Sequence, residues 1–428
     1  MAEIRPFRGL RYNPSKVDDL SAAICPPYDI IAPEEEQALM GRSPYNAVRV
    51  ELGEANGSGA YEAAAATLHE WIAEGVLVQD NRPAFYLTRH DFQYLGGRML
   101  TRTELTAAVR LEDLDKGIVI PHEATRSRAK EDRLQLLRAT KANISPVMLL
   151  YSGQGIIPAP PVDRPILAEL AGGERFRLWV ITDTDLVRRA QQEVASKPVY
   201  IADGHHRYET ALNYRNLVKA KDDDAAAYVM ATFISFSDPG LLVLGYHRLL
   251  HNLDPQAKQK IFERIRRTCV EERRLVGDAS LHEVARDAIV ALSTGKALFA
   301  LWGLEPGYLS LMSLAGDGPL DAIVAKGHSR AWAGLPNCVF REAILTPALG
   351  IQEEEAEAKG MLSFVKDTLE AIQAVSEGKA QVACLCSPIP FDAFREVSDR
   401  GERLPPKSTF FYPKLATGLV MKSVEGKL

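Results

Sequence analysis

Five groups that carry charge or exchange protons crowd into seven consecutive residues of this chain: Asp203, His205, His206, Arg207 and Glu209. An apolar run, Val199-Tyr200-Ile201-Ala202, precedes them, and a helical pattern from about His205 to Leu212 follows. Strand-to-helix junctions leave backbone N–H groups unpaired, and the helix dipole there favours an anion. Each side chain suits phosphate chemistry in its own way. Arg207 offers a fork of donors. A histidine near neutrality donates to a phosphate oxygen or moves a proton, which makes His206 a catalytic candidate and His205 a binding one. Asp203 is a second catalytic candidate and, as an oxygen donor, the candidate ligand for Mg2+. Gly204 permits a backbone conformation or a close ligand approach that a side chain would block. His205 and Glu209 stand four apart and can share a helix face. The structural alternative is a helix start capped by Asp203 with solvated charges, but five such groups exceed what capping requires.

Three further clusters carry chemistry. Pro121-His122-Glu123 leads into Thr125, Arg126, Arg128, Lys130 and Arg133. The zinc-protease pattern H-E-x-x-H fails, because Arg126 stands where the second histidine belongs. What remains is a candidate general base, Glu123, with phosphate-binding candidates Thr125, Arg128 and Lys130, and with His122 and Arg133 on the substrate side; a solvated, salt-bridged helix start is the alternative. Near the C-terminus, Lys407, Ser408 and Thr409 offer an ammonium and two hydroxyls for phosphate, and Lys414 a further cation for substrate. No glycine-rich loop precedes Lys407, so this is not a Walker A site. Tyr28 and Asp29 follow Pro26-Pro27 on a stiff loop that suits substrate binding or plain turn formation. No G-x-S-x-G elbow and no G-x-G-x-x-G after a strand occurs, which argues against a serine-hydrolase elbow and a Rossmann dinucleotide site.

The elements that must hold these clusters read as follows. Helices are expected at 61–74, 130–140, 185–194, 255–291 and 364–376. Strands are expected at 84–91 and 98–111 around Gly96-Gly97, at 118–123, 147–151, 176–181, 298–311 and 381–387, with 228–236 and 240–244 paired around Asp238-Pro239-Gly240. The Gly- and Pro-rich stretch 153–165 is the best linker candidate. Irregular alternation of helix and strand gives an α+β class with mixed sheets. Three segments are expected, 1–152, 165–250 and 251–428, with the site drawing on all three.

Bulk properties narrow the partners. The 428 residues are 46% hydrophobic and 25% charged, the profile of a globular chain with two or three domains' worth of core. A net charge of −5 gives no global field for gripping nucleic acid or an anionic membrane. Five scattered cysteines fit reduced thiols, and Cys384 and Cys386 share a strand face in an apolar run, a core position. The first ten residues lack an apolar h-region and no run of about eighteen apolar residues occurs, so a cytoplasmic location is expected.

Taken together, PPYD (26–29), PHE-x-T with a downstream DRL (121–134), DGHHRYE (203–209), DPGL (238–241) and PPKST-x-F-x-PK (405–414) resemble the family known as domain of unknown function 1015 across nearly the whole chain. DGHHR after a strand is also similar to the signature of the ParB/sulfiredoxin-like superfamily, which includes free-serine kinases with a glutamate base upstream of the motif. That resemblance implies a ParB/sulfiredoxin-like nucleotide-binding core, Glu123 as base, and ATP or ADP with Mg2+ as cofactors. Sulfiredoxin chemistry is excluded, since no cysteine stands in the Gly204 turn. The expected function is nucleotide-dependent phosphoryl transfer to a small hydroxyl substrate such as a free serine. A phosphoester hydrolase and a non-catalytic nucleotide-binding regulator are the alternatives.

Overall fold

The computed structural model describes residues 1–53, 59–94, 97–123, 127–153, 155, 164–170, 172–195 and 197–428. They form two compact units, one of residues 1–241 with 413–428, the other of residues 242–412.

The first unit is built on a nine-stranded sheet: β1 (Ile4–Arg5), β2 (Phe85–Tyr94), β3 (Arg98–Arg110), β4 (Val119–Pro121), β5 (Val147–Tyr151), β6 (Ile166–Leu170), β7 (Glu174–Ile181), β8 (Val199–Asp203) and β9 (Tyr228–Ser235). Their order is β4-β8-β5-β9-β3-β2-β7-β6, with β1 on β3. The sheet is mixed: β4 runs parallel to β8 and β5 parallel to β9, and the remaining pairs are antiparallel. Strands β5 and β9 are buried at every position, as the near-continuous apolar runs VMLLY and YVMATFIS demand of strands covered on both faces. Four helices accompany the sheet: α1 (Ala60–Ala73), α2 (Ser127–Thr140), α3 (Thr184–Ala195) and α4 (His205–Leu217). Tyr208 and Ala211 turn one face of α4 into the main core with Val147, Leu149, Val199, Ile201 and Phe233. Leu136 of α2 joins a second core with Val48, Val50, Leu68 and Trp71.

The boundaries follow hydrogen bonding rather than the three expected segments. Strand β5 lies between β8 and β9, so pieces of the first two segments share one sheet. The last residues also return to this unit. Lys422–Ser423 pairs with Ala142–Asn143, and the buried Lys422 ammonium donates to the carbonyls of Ala225, Tyr228 and Ser423. Most of the proposed linker at 153–165 lies outside the described residues.

The second unit holds a six-stranded antiparallel sheet: β10 (His247–Leu250), β11 (Cys269–Leu275), β12 (Phe299–Trp302), β13 (Tyr308–Leu314), β14 (Leu362–Val365) and β15 (Val382–Cys386), in the order β11-β13-β12-β15-β10-β14. Helices α5 (Pro255–Thr268), α6 (Leu281–Ser293) and α7 (Thr368–Ser376) accompany it. Asp254 and Ser280 cap α5 and α6, the latter in a full capping box with Glu283.

Several expectations are corrected. The stretch 255–291 is two helices split by β11, whose charged residues suit a sheet edge. The run 298–311 is the hairpin of β12 and β13. The start of 364–376 belongs to β14, since Asp367 caps α7. The strands expected around Asp238 do not pair with each other: β9 pairs with β3 and β5, while Leu242–Leu244 pairs with Phe410–Tyr412. Asp238 accepts from the Thr103 and Gly240 amides, and a side chain at Gly240 would strike the Thr101 backbone. The turn is therefore bound to β3 rather than closing a hairpin. Cys384 and Cys386 are free thiols in the buried strand β15.

Candidate functional site

The site of the first unit begins with strand register. Pro121 of β4 stands opposite Ile201 of β8 in a parallel pair, so both strands deliver their C-terminal residues to the same end of the sheet. His122 and Glu123 leave β4 there; Asp203, Gly204 and His205 leave β8 beside them. The contact between the two exits is direct. His122 Nδ1 lies 2.6 Å from the Ile201 carbonyl, which accepts, so Nδ1 carries the proton. The His122 backbone N–H points at His205 Nε2 (3.4 Å), and the two rings meet edge-on with centroids 4.6 Å apart. Both imidazoles are buried.

Gly204 is the cap of α4 and holds φ +85°, a left-handed conformation in which a Cβ would also lie 2.9 Å from Arg207 Nε. Only glycine suits both conditions. No side-chain hydrogen bond caps this helix at Gly204. Asp203 is the last residue of β8 and not the cap that the structural alternative required.

Asp203 instead joins two cations. Oδ2 accepts from Arg207 Nη2 at 2.7 Å, and Oδ1 accepts from the Lys414 ammonium. Burial opposes ionisation of this carboxyl, but Lys414 and Arg207 outweigh it and hold Asp203 well below the usual carboxylate range. With both oxygens taken by cations, Asp203 does not fit as a Mg2+ ligand. Among the described residues no group of three or more His, Cys, Asp or Glu side chains gathers as a metal-binding set.

Arg207 also donates to the Pro146 carbonyl, while its buried Nε has no hydrogen-bond partner among the described residues. Behind it lies a cavity of about 40 Å3 lined by Glu51, Arg133, Ser145, Thr210 and Arg207 itself. Leu136, Leu137, Ile144 and Val229 also form its walls, and the volume is enough for one ordered water held by the polar groups. Glu51 is 1% exposed, accepts from Ser145 Oγ at 3.0 Å and lies 3.8 Å from Arg133. It is the residue that sequence reasoning missed. Its only signal is a carboxylate two residues after Arg49, alternating with Val48, Val50 and Leu52.

The remaining candidates divide clearly. The Arg133 guanidinium stacks 4.2 Å over the Tyr28 ring and pairs with Asp132. Burial is the main force pushing the Tyr28 hydroxyl up to about 12, so it stays protonated. The charge of Asp29 acts on both Arg207 and His206. Lys130 pairs with Glu209 at 3.0 Å, so Glu209 reaches α2. Burial lowers His206, keeping its imidazole neutral at pH 7. Arg128 lies in the first turn of α2, and Thr125 lies outside the described residues. Lys407, Ser408 and Thr409 belong to the second unit. There Ser408 is buried between Asn337 and the Pro405 carbonyl, and Lys407, at φ +58°, holds its ammonium 5.1 Å from the Tyr246 ring.

PPYD, PHE, DGHHR and Lys414 thus meet in one unit. The cations there are not an open patch: Lys130, Arg133, Arg207 and Lys414 each face a carboxylate.

Fold and site together define a mixed α/β protein with charged side chains gathered at a helix start. The chain belongs to the family described as protein of unknown function DUF1015, which it matches over residues 4–314. No curated protein matches it. Solved structures similar to it include a free serine kinase in complex with ADP, at 12% identity over 72% of this chain and 87% of that one, TM-score 0.37. They also include a conserved hypothetical protein from Pyrococcus furiosus, at 15% identity over 73% and 92%, TM-score 0.35. A third is a C-terminally truncated SbnI from Staphylococcus aureus, at 10% identity over 76% and 87%, TM-score 0.36. Among the described residues no helix is long and apolar enough to cross a membrane.

Proposed function

We propose that the protein is a nucleotide-dependent phosphotransferase acting on a small hydroxyl-bearing substrate, with ATP or ADP as the nucleotide. One observation carries the reading: Glu123 and the Gly204-led start of α4 leave adjacent parallel strands at the same end of the sheet. A proton acceptor is thereby joined to a ready-made anion seat. The phosphate takes the first N–H groups of α4 together with Arg207 and Lys414, which Asp203 keeps charged and in place. Glu123 takes the hydroxyl proton, and His206, neutral, donates to or accepts from a phosphate oxygen. Phosphoryl transfer suits such a site because it asks mainly for positioning and electrostatic stabilisation. The likeness of DGHHR at 203–207 to the free-serine kinase motif supports the same reading, with serine as the first substrate to try. No step is assigned to Mg2+.

Calorimetric titration with ATP, ADP and CTP, followed by product analysis with serine and other small alcohols, tests this. Nucleotide binding, and phosphorylated product that disappears in Glu123→Gln, are expected. No response to any nucleotide, or turnover indifferent to Glu123→Gln, overturns it. The neutral imidazole of His206 favours a phosphoester hydrolase as the second reading; hydrolysis of phosphoserine without nucleotide selects that one.

A further inference from the structure

A serine and a histidine in the second unit form an arrangement that the site above does not use. Strand β14 pairs with β10 so that Ser363 faces Leu249, and His251 follows two residues later on the same side. Ser363 Oγ lies 2.7 Å from His251 Nε2. The other ring nitrogen, Nδ1, lies 2.9 Å from the Lys379 carbonyl. A carbonyl only accepts, so Nδ1 carries the proton. In the neutral ring Nε2 then presents its lone pair to the serine hydroxyl. Nucleophile, base and the group that orients the base are therefore all within hydrogen-bond reach.

The surroundings hold this pair and leave it reachable. Asn252 adopts φ +51° and donates to the Gly360 carbonyl, and Gln381 clamps both the N–H and the C=O of Leu253. The chain that follows His251 is thus fixed. Both side chains open onto a cleft of about 490 Å3 that includes Asn252, Gly360, Lys379 and Gln381 in its walls. That size accommodates a small organic molecule.

We propose that Ser363 and His251 are an acyl-transfer dyad acting on a small carboxylic ester. Ser363 Oγ adds to the ester carbonyl carbon while its proton passes to His251 Nε2. The imidazolium, held through Nδ1–H by the Lys379 carbonyl, returns that proton to the departing alkoxide as the C–O bond breaks. Water then attacks the acyl-serine by the same route, releasing a carboxylic acid and restoring both side chains.

The test is covalent labelling of the full chain with an alkyl fluorophosphonate, located by peptide mass spectrometry, beside hydrolysis of a nitrophenyl acetate. A Ser363 adduct is expected, absent from Ser363→Ala and formed about 100-fold more slowly in His251→Gln. Thermal melts of both variants check that the unit stays folded. No adduct on Ser363 in the unaltered chain, or an adduct formed equally fast in folded His251→Gln, overturns the proposal.

Discussion

Each unit buries an arginine against a carboxylate, and the two pairs serve opposite ends. In the second unit Arg248 is fully buried and donates to Glu353 at 2.9 Å and to the Tyr246 carbonyl at 2.8 Å, with the Phe364 ring 5.3 Å away. Glu353 serves that one cation. In the first unit Asp203 is shared between Arg207 and Lys414, at the start of α4, with side chains 15%, 10% and 8% exposed. A sealed one-to-one pair fixes a core. A shared carboxylate beside the start of α4 gathers two cations from distant parts of the chain. Buried charge pairs therefore mark function only when their stoichiometry and surroundings leave something to trade.

Breaking the sealed pair has the largest expected cost. Glu353→Gln leaves Arg248 charged and uncompensated, and about 3–5 kcal/mol of stability is lost in chemical denaturation. A loss below about 1 kcal/mol would erase the contrast. Arg207→Ala comes next, at about 2 kcal/mol, because the Pro146 carbonyl loses its donor while Asp203 keeps Lys414. Nucleotide binding is expected to vanish with it.

Acid sharpens the comparison further. The Asp203 carboxyl is depressed when folded, so its contribution is fully present above its ordinary value of 3.8 and is lost as pH falls below that. Melting temperatures of the unaltered chain should therefore fall more steeply from about pH 4 towards pH 2 than those of Asp203→Asn. The smallest stability effect is expected from His206→Ala, within about 0.5 kcal/mol, although turnover is lost. Calorimetry and an activity assay on the same sample separate the two.

The clusters of the candidate site were legible in the sequence, because PPYD, PHE and DGHHR concentrate polar groups at strand ends and proline turns. Their pairing was not. Asp203 reads as a cap or a metal ligand until Lys414 is seen to reach it from 211 positions away. Glu51 was hidden because a carboxylate two residues from Arg49 reads as a local charge pair and gives no sign of Ser145 and Arg133. Secondary structure failed where charge and turn chemistry are ambiguous. Edge strand β11 alternates too many charged residues to stand out from its flanking helices. Asp238-Pro239-Gly240 has hairpin residues, yet its side chain and its close backbone approach are used on β3.

The late arrival of Lys414 bears on biosynthesis. During translation, strand β8 and its aspartate emerge long before the lysine that completes them, with the whole of residues 242–412 made in between. A ribosome-bound chain halted before Pro413 would carry DGHHR with one cation rather than two. The two-cation arrangement around Asp203 is therefore completed late, only once the tail has folded back beside it.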